Sequence, residues 1–67
     1  MLVIGSRFDE TGTLLREGGG FALRRDSGGR IGLELQRVPV DHVNKRVRVV
    51  GVIVAPDLVG SDSVIAL

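Results

Sequence analysis

The chain has 67 residues, with nine Lys and Arg against eight Asp and Glu, one His, two Phe, and no Trp, Tyr or Cys. That length allows one domain with a thin core, over residues 1–67, burying roughly 60% of the surface of the unfolded chain. The absent cysteines exclude disulfides and thiolate metal sites and fit a reducing compartment, while the balanced charge makes no strong electrostatic case for a polyanionic partner.

Met1-Leu2-Val3-Ile4-Gly5 is apolar for only four residues and has no basic n-region. It therefore predicts neither a signal peptide nor a membrane span, and the expected location is cytoplasmic. Residues 1–9 are expected to add an N-terminal strand or arm. Phe8 to Arg16 is the first extended segment, with Thr11, Thr13 and Leu14-Leu15 suited to a strand, and Glu17-Gly18-Gly19-Gly20 follows as a flexible turn. Phe21 to Arg25 is the second strand, placing Phe21 and Leu23 on one face and Arg24 on the other, and Asp26-Ser27-Gly28-Gly29 is a hairpin loop. Arg30 to Gln36 shows the cleanest alternation in the chain. Ile31, Leu33 and Leu35 point one way while Arg30, Gly32, Glu34 and Gln36 point the other.

Val38-Pro39 ends that alternation, because the residue before a proline is held extended and proline suits the first turn of a helix. A short helical or 3₁₀ turn is predicted over Pro39 to Asn44, where Val40 and Val43 share a face and plug the open end of a barrel. Asp41 is placed to cap it. Arg46 to Val54 then carries Val47, Val49, Val50, Val52, Ile53 and Val54, apolar on both faces, with Gly51 marking a bulge. Pro56-Asp57 begins a loop, and Ser63 to Leu67 is the last strand. Three strands, a short helical connection and two more strands form the order of a five-stranded OB barrel. The predicted fold class is all-β, a small OB-like barrel, with an SH3-like barrel as the alternative closure.

Five segments carry a resemblance: Glu10-Thr11-Gly12-Thr13-Leu14, Gly20-Phe21-Ala22-Leu23-Arg24, Leu33-Glu34-Leu35, Val38-Pro39-Val40-Asp41 and Lys45-Arg46-Val47-Arg48-Val49-Val50-Gly51. In this order, over residues 10–67, the chain resembles a family of short, uncharacterised bacterial OB-like domains. The resemblance implies the barrel fold and carries over no catalytic or binding residue.

No constellation for chemistry stands out. His42 neighbours Asp41, but no cysteine exists and Ser6, Ser27, Ser61 and Ser63 lack a nucleophile-elbow context. Gly18-Gly19-Gly20 precedes a strand and lacks the Lys and Ser or Thr of a phosphate loop. Asp57 and Asp62 alone fall short of a calcium site. No catalytic residue, metal or cofactor is predicted, and the chain is expected to be no enzyme.

Two surfaces remain. A strand apolar on both faces needs two covers, and in so small a barrel the core supplies one. The first expectation is an interaction module, a homo-oligomer or partner-bound barrel, using Leu2, Ile4, Val50, Val52 and Val54. The second is weak, sequence-independent binding of single-stranded nucleic acid through Arg16, Arg24, Arg30 and Arg48, favoured by eight Arg against one Lys and opposed by the missing aromatic platforms. Glu34 shares the presumed outer face with Arg30, which makes cross-strand ion pairing the simpler account of that arginine. No membrane partner is expected.

Overall fold

The computed structural model describes residues 3–35 and 40–67. Five strands follow in order, β1 (Arg7–Glu17), β2 (Gly20–Arg25), β3 (Arg30–Glu34), β4 (Arg46–Ala55) and β5 (Leu58–Ala66), with a 3₁₀ turn over Val40–His42 between β3 and β4. The antiparallel β1–β2 hairpin turns on two residues, Gly18 and Gly19, whose φ values of 53° and 84° meet the demand of a type I′ turn for positive φ at both positions. The expected turn of four residues is thus two, and Glu17 and Gly20 pair across it.

The sheet closes into a barrel in the order β1-β2-β3-β5-β4, with β4 returning to β1. Closure uses one parallel contact, β3 with β5, over Gly32↔Leu58, Leu33↔Val59 and Glu34↔Gly60. This is the all-β, five-stranded arrangement predicted, with the short turn in its predicted place. Side chains of alternate residues fill the interior: Phe8 and Leu14 from β1, Leu23 from β2, Ile31 and Leu33 from β3, Val47, Val49 and Ile53 from β4, and Val59 from β5. Phe21, Leu35, Val43 and Val64 pack around them.

Two inward-register glycines let long strands bend tightly. A Cβ on Gly12 would meet the backbone of Arg24 and Arg25, and one on Gly51 the backbone of Gly60 and Ser61. At Gly51 the β4–β5 register also shifts, as the predicted bulge requires.

Three boundaries differ from expectation. The last strand begins at Leu58, five residues before Ser63, because Pro56-Asp57 make only a tight turn and the segment after them is held from two sides, by β3 and β4. Gly60, Ser61, Asp62 and Ser63 have low strand propensity, and tertiary pairing overrides it. Strand β3 ends at Glu34, with Leu35 still packed on the core, and Gln36 to Pro39 lie outside the described residues. At the start, Val3 to Ser6 form a turn closed by the Ser6 N–H donating to the Val3 carbonyl (3.0 Å), and residues 7–9 already belong to β1. Gly5 N–H donates to the Ile53 carbonyl (2.7 Å) and Ile53 N–H to the Ser6 carbonyl (2.9 Å), so this arm extends the β1–β4 ladder.

The turn after β3 docks on β1 through its exit. Asn44, with φ of 66°, donates its N–H to the Leu14 carbonyl (2.7 Å), and Leu14 N–H donates to the Lys45 carbonyl (3.0 Å). Backbone bonds close it, including Lys45 N–H to the His42 carbonyl (3.0 Å), and the Asp41 side chain is exposed.

Candidate interaction surface

Strand β4 alternates strictly. Val47, Val49, Gly51 and Ile53 face the core and are buried, whereas Arg48, Val50, Val52 and Val54 take the outward register. Val52 and Val54 remain 39% and 46% exposed, and Val50 is half-buried. The strand is therefore apolar on both faces from Val49 to Val54, while Arg46 and Arg48 make the other end of its outer face polar. Leu2 lies outside the described residues. Ile4 and Val3 are themselves 60% and 64% exposed in the N-terminal turn.

The neighbours of this row come from both ends of the chain. On β1, Arg7 is the register partner of Val52 and Asp9 that of Val50. On β5, Gly60 lies opposite Val52 and Ser63 opposite Val50, with Asp62 in the bulge between. Gly5, Arg7, Val50, Gly51, Val52 and Asp62 line a shallow depression here. Gly60, without a side chain, lets Val54 lean over β5. Farther along, Ile65 on β5 is 47% exposed beside Arg48. Sequence reasoning singled out the valines and missed their flanks, since Arg7 and Asp62 are 55 positions apart and only the pairing of β1, β4 and β5 brings them to one face.

The four candidate arginines do not share a face. Arg48 makes a bidentate pair with Asp9, Nε to Oδ1 at 2.8 Å and a terminal nitrogen to Oδ2 at 2.6 Å. Arg30 pairs with Glu17, not with Glu34. That bond joins β1 to β3 across β2, straddling Ala22, which is 2% exposed despite its outward register. Arg16 and Arg24 make no ion pair among the described residues, and they sit on opposite register parities, Arg16 across from Phe21 and Arg24 across from Thr13. A phosphate at Arg30 or Arg48 would have to displace a carboxylate that already fills the guanidinium fork.

Two further ion pairs, Arg25–Glu10 and Arg46–Asp26, pin the β2–β3 loop. Arg25 holds Glu10 through two bonds of 3.0 and 2.9 Å, and Ser27 donates to the same carboxylate at 2.9 Å. Asp26 accepts from Thr11 (2.7 Å) and Arg46 (2.5 Å). Hydrogen bonds from Arg48, Arg25 and Thr11 hold the carboxyls of Asp9, Glu10 and Asp26, respectively, below their ordinary range, against a smaller upward push from burial. No group of three or more His, Asp or Glu placed to hold a metal occurs among the described residues. No helix among them is long and apolar enough to cross a membrane.

A small all-β barrel with one unpartnered apolar sheet face is the class that fold and surface define. The chain belongs to the family described as Protein of unknown function (DUF5818), whose model matches residues 11–66. No curated protein and no solved structure matches it.

Proposed function

We propose that this chain is a non-enzymatic interaction module, an OB-like barrel that self-associates through the outer face of β4. The observation that carries this reading is the outward row Val50, Val52 and Val54, in which Val52 and Val54 are exposed and Val50 is half-buried among the described residues. Exposed valines in one pleated row are a poor solvent face and a good packing face, because their branched side chains are already fixed in rotamer. Sedimentation velocity between about 10 μM and 1 mM is the test, over a range suited to weak association. Mass should rise above the 7.1 kDa of one chain as concentration increases, and Val52→Lys should return it to one chain with an unchanged far-UV spectrum. A single-chain mass throughout that range rejects the reading.

A second reading, weak binding of single-stranded nucleic acid, draws on one observation. Arg24 is the direct register partner of Arg30 on the outer face of β2–β3, and while Glu17 holds Arg30, Arg24 makes no ion pair among the described residues and can meet a phosphate. It predicts oligonucleotide binding at about 50 mM salt that weakens steeply as salt rises. No change in fluorescence anisotropy at that salt excludes it.

A further inference from the structure

The outer face of β4 carries opposite charges on its two sides. Arg7 on β1 flanks Val52, and Asp62 in the β5 bulge flanks the row between Val50 and Gly51. Both are exposed, both line the depression over the valines, and neither makes an ion pair among the described residues. The other described charges on this face are already matched, Asp9 with Arg48. Among the described residues, one side therefore offers a cation held in no ion pair and the other an anion held in none, separated by the width of an apolar strand.

That arrangement is self-complementary under one particular symmetry. Stack two such sheets face to face about a two-fold axis lying between them and parallel to β4, and left exchanges with right. Each Arg7, level with Val52, then faces the Asp62 of the other copy, level with the Val50–Gly51 bulge, at an offset of roughly 5 Å along the strand, and each valine stands over its own counterpart. A two-fold perpendicular to β4 in the same plane leaves left on left, setting Arg7 against Arg7 and Asp62 against Asp62. Electrostatics separates the two, since like charges across an interface exclude a mode while opposite ones fix its register.

We propose that a second copy of this chain is the occupant, docked face to face about a two-fold parallel to β4 with reciprocal Arg7–Asp62 pairs at its rim. This rests on the self-association proposed above and adds its geometry. Three valines cannot by themselves supply the roughly 800 Å² per partner of a standard interface, so Ile65 and the charged rim complete a small patch and the dimer is a weak one. Aligned sheets packed this way lie roughly 10 Å apart, within reach of an arginine and an aspartate directed toward one another.

Charge reversal tests the geometry independently of the valine face. Arg7→Glu alone and Asp62→Arg alone should each weaken dimerisation, by roughly tenfold for the two exposed pairs lost and replaced by repulsion. The double variant should recover wild-type association, because the pairs reform with signs exchanged, and a mixture of the two single variants should form heterodimers in preference to either homodimer. Sedimentation velocity reads all four, with far-UV circular dichroism confirming that each chain is folded. Wild-type affinity in either single variant, or no recovery in the double variant, overturns the reciprocal geometry. If Val52→Lys still abolishes dimerisation in that case, the valine face stands and only the symmetry falls. A monomeric wild type overturns both.

Discussion

Gly51→Ala probes how closely β4 and β5 approach. A Cβ there would lie 2.9 Å from Ser61 Cα and 3.0 Å from the Gly60 carbonyl carbon, and closer still to the Gly60 oxygen. All three are backbone atoms, so no rotamer change relieves the contact, and the strands must part by about 1 Å to bring the oxygen, the tightest of the three, to ordinary separation. Overpacking of this kind costs about 1–3 kcal/mol. Ladder hydrogen bonds stretched beside it remove about 1 kcal/mol more. The stiffer unfolded chain returns about 0.4–1 kcal/mol. The net loss is about 1–3.5 kcal/mol, a large share of the few kcal/mol available to a domain of this size. Since the chain lacks Trp and Tyr, urea unfolding followed by far-UV circular dichroism at one fixed protein concentration is the assay. Gly20→Ala is the control, because a Cβ at Gly20 meets only the Glu17 carbonyl oxygen at 3.7 Å and φ there is not positive. A Gly51→Ala variant as stable as Gly20→Ala would refute the close-approach argument.

Further outcomes follow from the same structure. Ser61 Oγ is buried without a hydrogen-bond partner among the described residues, so Ser61→Ala should leave the urea midpoint unchanged or raise it, and a marked fall would mean that the hydroxyl is satisfied. Leu23→Ala, at a fully buried β2 position, should lose about 2–5 kcal/mol and leave little folded signal in the far-UV spectrum; a cooperative transition near wild type would contradict the core assignment. Asp9, Glu10 and Asp26 have folded pKa values below their unfolded ones of 3.8, 4.5 and 3.8, so the stability they contribute is present above about pH 4.5 and is lost as pH falls through the lowered values. Urea midpoints between pH 7 and pH 2.5 should hold down to about pH 4.5 and then decline, more gently in Glu10→Gln; a midpoint that rises on acidification would contradict the assigned pairs.

Period-two alternation and glycine punctuation were enough to place β1 to β4 and the short turn, because each is a local consequence of which side chains prefer a pleated strand and which backbone angles glycine allows. The Ile31, Leu33 and Leu35 face and the inward half of β4 were legible for the same reason: burying an apolar side chain is favourable wherever a strand can turn it inward. The first half of β5 was not legible. Gly60 to Ser63 lack strand character, and only simultaneous pairing with β3 and β4 makes them a strand. Cross-strand ion pairing at Arg30 was expected on the face it shares with Glu34, but the partner is Glu17, which strand order brings within reach from β1.

The outward valines could be named from the sequence, since alternation assigns them a face. Whether that face is covered, and by which charges it is flanked, depends on strand order and register. These are settled by long-range pairings whose partners, such as Arg7 and Asp62 on either side of Val52 and Val50, carry no mark of one another in the sequence.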